Sequence, residues 1–208
     1  MKLTKYEHAC FTLEKEGKIL IVDPGEWTRD LVHLEDIVGI VITHGHPDHV
    51  DTSALGAFVA RNPQATIYAH MSVIEQLSSD LPTQTIAAGE SVDVNPFKLE
   101  IFGGEHAVIH ADIPVIANIG LLIDESLYYP GDSFVAPGKA VSTLALPVSA
   151  PWLKIAEVID FARLIDAGLI FPTHDAILSD TGKAVVDRII SAQVPNSRYI
   201  RLQEPLEV

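Results

Sequence analysis

One cysteine, Cys10, in 208 residues rules out an internal disulfide and any structural zinc site built from cysteine pairs. It lies in the apolar run Ala9-Cys10-Phe11 and reads as a small buried hydrophobe. Basic residues are scarce: 14 Lys and Arg face 28 Asp and Glu, for a formal charge of −14. A field of that sign repels a phosphate backbone, so broad binding to nucleic acid or to an anionic membrane is disfavoured, while a small local basic pocket is not. No apolar run approaches the ~18 residues that cross a bilayer. The opening Met1-Lys2-Leu3-Thr4-Lys5 leads into mixed polar sequence rather than a signal peptide, and the cytoplasm is the expected compartment. Also missing are a Gly-rich phosphate loop with its lysine, a dinucleotide fingerprint and a Gly-x-Ser-x-Gly elbow.

What is present is enough apolar mass for a core: 48% of residues are hydrophobic and 20% charged, which argues against extensive disorder. Nothing marks a linker, so residues 1–208 are expected to form one domain. Short strands are expected at Phe11 to Glu14 and Lys18 to Val22, joined by a turn at Glu16-Gly17, and at Ile37 to Thr43. Asp51-Thr52-Ser53 offers caps for a helix through about Arg61, ended by Asn62-Pro63. Thr66 to Ala69 reads as a strand and Met71 to Ser79 as a short helix. Further strands are expected at Gln84 to Ala87, Ser91 to Val94, Leu99 to Gly103, Ile116 to Ile123, Leu127 to Tyr129 and Thr143 to Leu146. An amphipathic helix follows from Trp152 to about Ala167, then a core strand at Leu169 to Phe171 and a last helix at Gly182 to Ala192. No internal repeat is visible at the residue level. Two groups of strands, each followed by helices, suggest two stacked sheets with helices outside.

The densest chemistry is His44-Gly45-His46-Pro47-Asp48-His49. Three imidazoles and a carboxylate lie within six residues, where an apolar strand gives way to a Gly/Pro-containing loop that can fold donors around an ion. Imidazole nitrogen with carboxylate oxygen suits zinc, or manganese or iron. Four such donors converging without a metal would be costly to desolvate.

This segment resembles the His-x-His-x-Asp-His signature of the metallo-β-lactamase fold superfamily, and the resemblance runs along nearly the whole chain. It implies an α/β, four-layer αββα sandwich: two mixed sheets flanked by helices. Three later ligands are implied as well, each after an apolar strand: His106 in Gly103-Gly104-Glu105-His106, Asp132 in Pro130-Gly131-Asp132, and His174 in Phe171-Pro172-Thr173-His174. The order, His then Asp then His, is the family's. The resemblance places His44, His46 and His106 on one metal and Asp48, His49 and His174 on a second, with Asp132 bridging. Ile21-Val22-Asp23-Pro24-Gly25 looks like the family's first core strand and turn. Asp23 would there accept the free N–H of a ligand imidazole, or would stand as an ordinary turn aspartate.

The implied activity is hydrolysis of a small ester, lactone, amide or phosphoester by a hydroxide bridging two metals, and among relatives the chain most resembles the L-ascorbate-6-phosphate lactonase-like branch of metal-dependent hydrolases. Asp48 would orient the hydroxide as well as ligate. His110 could assist a leaving group or contact substrate, or be a surface loop residue. His8 resembles a histidine that relatives hold near the pocket, and Trp152 could wall the pocket or pack the core. His33 and His70 read as solvent-facing or helix-end residues. Two other readings stay open: a metal-dependent oxidoreductase of the same fold, which in di-iron relatives carries a flavin domain, and a non-catalytic binding protein, which would be expected to have lost ligands. The expected partner is a small-molecule substrate. Oligomeric state is left open.

Overall fold

The computed structural model describes residues 1–29, 31 and 33–208. Strands β1 (Lys2–Lys5), β2 (Phe11–Lys15), β3 (Lys18–Val22) and β4 (Ile37–Ile42) are followed by helix α1 (Thr52–Arg61), β5 (Thr66–Ala69), the short helix α2 (Met71–Ile74) and β6 (Thr83–Thr85). A second series runs β7 (Ser91–Val94), β8 (Phe97–Glu105), β9 (Ala117–Ile123), β10 (Leu127–Tyr129) and β11 (Thr143–Pro147). It continues through α3 (Ile155–Ile165), β12 (Leu169–Thr173), α4 (Asp180–Gln193) and β13 (Arg198–Tyr199), and β14 (Leu206–Glu207) closes the chain. These strands make two seven-stranded sheets, ordered β14-β1-β2-β3-β4-β5-β6 and β13-β12-β11-β10-β9-β8-β7. Both are mixed. β14 through β3 and β7 through β10 pair antiparallel, whereas β3 through β6 and β10 through β13 pair parallel.

Strand alternation distributes the apolar residues into three layers. Leu20, Val22 and Val41 of the first sheet meet Ile119, Leu121 and Phe171 of the second in the core between the sheets. The residues between them in sequence, Ile21, Ile40 and Ile42, point the other way and pack under Leu55 and Phe58 of α1. On the far side Leu144, Leu146 and Ile170 meet Val158, Phe161 and Ala162 of α3. The result is the αββα stack expected from the sequence. Central strands are buried on both faces, which is why they read as continuous apolar runs.

The outer ends differ from the sequence expectation. The segment after Ile74 does not continue as a regular helix: Gln76 and Leu77 donate their amides to Val73 and Ile74, tighter three-residue turns than an α-helix allows. α3 begins at Ile155 rather than Trp152, because Glu157 reaches back to the Lys154 amide at 2.9 Å and caps the helix there. The short strands β1, β13 and β14, at one end of each sheet, carry too little apolar alternation to be read from sequence. Among the described residues no helix is long and apolar enough to cross a membrane.

Phe171 and Tyr129 of the second sheet both stand edge-on to Phe11 of the first, with ring centroids 5.7 Å and 5.5 Å away. Replacing Phe171 by Ala should lower the unfolding free energy by roughly 3–5 kcal/mol in a denaturant titration, because a fully buried ring would leave a cavity between the sheets. A loss under about 1 kcal/mol would mean that the sheets collapse onto the gap.

Candidate metal centre

The cluster forms where several strands end along one rim of the sandwich. β4 delivers Thr43 and His44, and the loop beyond folds back at once: His49 and Val50 donate their amides to the His46 carbonyl at 2.9 and 3.1 Å. Gly25 makes room for this turn. A Cβ there would lie 2.0 Å from the Asp48 carbonyl oxygen, so no side chain is tolerated without moving the loop. The turn after β10 has the same requirement. Gly131 has a φ of +62°, and a Cβ would sit 2.3 Å from Asn118 Oδ1. That buried amide accepts the Asp132 amide proton at 2.9 Å and donates to the Pro130 carbonyl at 2.9 Å, fixing the turn from both sides.

The seven residues expected as ligands are brought together. Ligand atoms of His44, His46 and His106 lie within 4.8 Å of one another, as do those of Asp48, His49 and His174, a group that also includes His8. Asp132 stands between the groups. Its Oδ2 is 3.0 Å from His174 Nε2 and 3.4 Å from His106 Nε2, and its Oδ1 is 3.3 Å from His49 Nε2. His44, His49, His106, Asp132 and His174 are buried, and His46 and Asp48 are partly exposed.

Hydrogen bonds outside the cluster settle which ring nitrogen faces inward. His49 Nδ1 donates to Asp23 Oδ2 at 2.7 Å, His106 Nδ1 to the Ala107 carbonyl at 2.6 Å, and His174 Nδ1 to the Ser149 carbonyl at 2.5 Å. Thr43 Oγ1 gives its proton to Asp23, so it accepts from His44 Nδ1 at 3.1 Å. With Nδ1–H committed outward in each, Nε2 is the nitrogen that these four imidazoles turn toward the centre, where a bound metal would replace its proton on the charged rings. Asp23 itself accepts from the Thr43 amide, Thr43 Oγ1, His49 and Tyr129 Oη, all at 2.7–2.9 Å. This is the orienting role that the sequence suggested for it.

The donor set fits metal ions on a direct observation. His49 Nε2, His106 Nε2 and Asp132 Oδ1 are buried and have no hydrogen-bond partner, although they lie close together. Unsatisfied buried polar atoms are rare and costly, and three of them gathered around the Asp132 carboxylate form an arrangement that bound cations would satisfy.

The charge distribution points the same way. Burial, then the neighbouring His49, hold His44 well below the usual histidine range, and burial with His106 lowers His46, so both rings are neutral. Burial would raise Asp132, but His49, His174 and His106 outweigh it and keep the carboxylate ionised. Asp48 is likewise held far below the ordinary range: burial is overcome by hydrogen bonds from His174 and His8. Burial opposes charge on His174, yet Asp132 and Asp48 lift it to about 9. Asp132 and Asp23 raise His49 against burial in the same way.

His110 is not among the residues brought together. The chain leaves the rim after His106, and the His110 side chain is 65% exposed, with Nδ1 accepting the Asp112 amide proton at 3.1 Å. The additional imidazole at the cluster is His8, whose Nδ1 accepts from the Ala176 amide at 3.3 Å and whose Nε2 donates to Asp48 Oδ2 at 2.9 Å. Trp152 also reaches the site, donating from Nε1 to Asp132 Oδ2 at 2.8 Å. Its position in a Pro-rich turn gave no sequence signal for that bond. His33 is exposed and His70 caps α2.

The family model described as the Beta-lactamase superfamily domain matches residues 2–174, and the chain belongs to that family. The protein Rv0786c of Mycobacterium tuberculosis is 35% identical over 190 residues, covering 89% of each chain. A UPF0173 metal-dependent hydrolase of Aeropyrum pernix is 30% identical over 154 residues, covering 64% of this chain and 62% of its own. Among solved structures, the metallo hydrolase Igni18 from Ignicoccus hospitalis superposes with a TM-score of 0.76 over 99% of this chain and 97% of its own, at 17% identity. The fold is therefore the metallo-β-lactamase fold.

Two outcomes follow for the centre. Replacing Asp23 by Asn leaves one accepting oxygen and no charge to meet its four donors, His49 among them, and should weaken metal binding by roughly 10–100-fold in a competition titration with a chromogenic chelator. Unchanged affinity would show that Tyr129 and Thr43 hold the loop without it. In metal-free protein, His174 is charged at neutral pH, and its contribution to stability, complete below the unfolded value near 6.5, is lost as pH rises through about 9. Metal must displace that proton, so metal binding strengthens over the same window. The difference in Tm between metal-loaded and metal-free protein should widen from about pH 7 to about pH 9, and a constant difference would contradict this account.

Proposed function

We propose that the chain is a metal-dependent hydrolase with a dinuclear centre, zinc in its natural form, acting on a small ester, lactone or phosphoester. His44, His46 and His106 would hold one ion and Asp48, His49 and His174 the other, with Asp132 shared. The observation that carries this reading is the set of buried, partnerless atoms on His49, His106 and Asp132, directed at one another by protein hydrogen bonds on their far sides. Bound divalent ions would lower the pKa of a coordinated water and polarise the bond to be cleaved.

The chain's own groups then have distinct tasks. Asp48 is partly exposed at the rim and remains ionised, so it accepts a hydrogen bond from an incoming water and orients it rather than removing its proton at neutral pH. His8 fixes the Asp48 carboxylate from behind. Trp152 fixes Asp132, so that the shared carboxylate cannot swing out of the site. Burial of the histidine side chains limits the water reaching the centre and strengthens the electrostatic interactions within it.

The formal charge of −14 supports a small-molecule substrate rather than nucleic acid or an anionic bilayer. The likeness to relatives named metal-dependent hydrolases supports hydrolysis over redox chemistry. Lactones come first among candidate substrates, in keeping with the resemblance to L-ascorbate-6-phosphate lactonase.

Elemental analysis of protein purified without added metal, beside a His46→Ala/Asp48→Ala variant, tests the reading. About two metal equivalents per chain, largely lost in the variant together with lactone or phosphodiester hydrolysis, is the expected outcome. Fewer than about 0.2 equivalents, not restored by zinc or manganese, would sink it.

A further inference from the structure

Bordering the metal cluster at His8, a cavity of about 450 Å³ is lined by Lys5, Arg29, Lys183 and Arg201 together with Glu7 and Asp175. None of the seven ligand positions lines it. Four of the chain's 14 basic residues meet here, in a molecule whose formal charge is −14. The lining groups alone sum to two positive charges, a local reversal of the field that the rest of the molecule presents.

The cationic groups keep donors to spare among the described residues. Lys5 Nζ gives two of its three protons to the carbonyls of Tyr6 and His8, both at 2.6 Å, and has a third. Burial pushes this ammonium down to about 8, with Asp175 pulling it back up, so it is still mainly charged at neutral pH. Arg201 holds Asp187 with Nε and Nη2 at 2.9 and 2.8 Å and Asp175 with Nη1, which leaves two of its five N–H groups. Lys183 comes no nearer to Asp175 than 3.9 Å, beyond hydrogen-bonding distance. Asp175 is already engaged by Arg201, so the ammonium groups of Lys5 and Lys183 are what an incoming anion meets.

Glu7, Arg29 and Ala176 also line a neighbouring depression, whose other walls include Trp27 and Ile177. These two apolar side chains are 43% and 50% exposed. The Trp27 ring stands edge-on to His8, 4.6 Å between centroids, so it is held in place rather than free in solvent. A groove with a cationic end and an ordered aromatic wall has the character of a ligand site, apolar surface with a few convergent polar groups.

We propose that this groove binds a small organic anion, its phosphate or carboxylate on Lys5, Lys183 and Arg201 and its apolar body on Trp27 and Ile177. The site goes beyond the hydrolase reading and does not depend on it. Asp187 and Asp175 orient Arg201 in advance, so binding has little side-chain ordering to accomplish at that residue.

Isothermal titration of the metal-loaded protein with phenylphosphonate, a non-hydrolysable aryl dianion, tests the assignment, with inorganic phosphate as the head group alone. Lys183→Gln and Trp27→Ala are suitable variants, since the Lys183 ammonium makes no hydrogen bond among the described residues and Trp27 is nearly half exposed. Each should weaken phenylphosphonate by about tenfold at unchanged metal content and unchanged circular dichroism, and inorganic phosphate should respond to Lys183→Gln alone. Phenylphosphonate binding that neither variant alters would place the ligand elsewhere, the metal cluster included, and overturn the proposal. So would no binding up to about 10 mM. Protein that holds no metal yet binds phenylphosphonate in this variant-sensitive way would lose the hydrolase reading and keep this site.

Discussion

The carboxylate of Asp23 is the constraint on which the rest of the site depends. It is fully buried, at a residue with a φ of +46°, directly after a core strand. In such a place an ionised carboxylate is tolerated only if its lone pairs are occupied, and here four donors occupy them: the Thr43 amide and hydroxyl, the His49 ring and the Tyr129 hydroxyl. Those donors come from three parts of the chain. Thr43 ends β4, His49 closes the metal loop, and Tyr129 belongs to the opposite sheet. One side chain therefore fixes the loop to its own sheet, joins the two sheets near the rim, and sets the tautomers of both His44 and His49. Its influence on the centre is indirect but reaches most of it.

Packing and polar chemistry are divided between the middle and the rim of the sandwich. The layers formed by Phe11, Leu121 and Phe171, and by their counterparts under α1 and α3, require no polar partner and stabilise the sheets by burial alone. That rigid platform is what makes the rim affordable, because burying several imidazoles and two aspartates disfavours folding wherever any of them lacks a partner. Nearly every such atom has one from the protein. The exceptions are the inward-facing atoms of His49, His106 and Asp132, and they are the atoms a metal would take.

The metal motif was legible in the sequence because its donors are local. His44, His46, Asp48 and His49 need only one turn to converge, and a strand that ends in Gly and Pro residues supplies it. His106, Asp132 and His174 were legible from order and from their places after strands, together with a family resemblance. His110 was misleading for a physical reason: four residues after a strand end, a loop has no fixed period, and the chain there has already turned outward. The bonds of His8 and Trp152 to the two aspartates were opaque because each joins segments far apart in sequence, which no local pattern encodes. The core strands announced themselves by apolar content. The short, half-exposed strands β1, β13 and β14 did not.

A further regularity lies in the topology and is invisible residue by residue. Each sheet pairs its first four strands antiparallel and the rest parallel, so β1 to β6 correspond to β8 to β13, with β14 matching β7. By that correspondence His8, after β1, matches His106 after β8, and Asp23, after β3, matches Asp132 after β10. Both pairs meet at the rim, yet their members do different work. Asp23 is committed wholly to protein donors, while Asp132 accepts from Trp152 on Oδ2, with His174 Nε2 3.0 Å from the same oxygen, and leaves Oδ1 bare. His106 turns an unpartnered Nε2 inward, while His8 has given its Nε2 proton to Asp48. In each pair the first half of the chain supplies the brace and the second supplies the open coordination position. The connection between β4 and α1 carries His44, His46, Asp48 and His49 on the first half's side of the rim, and the second half closes the centre from across it with His106, Asp132 and His174.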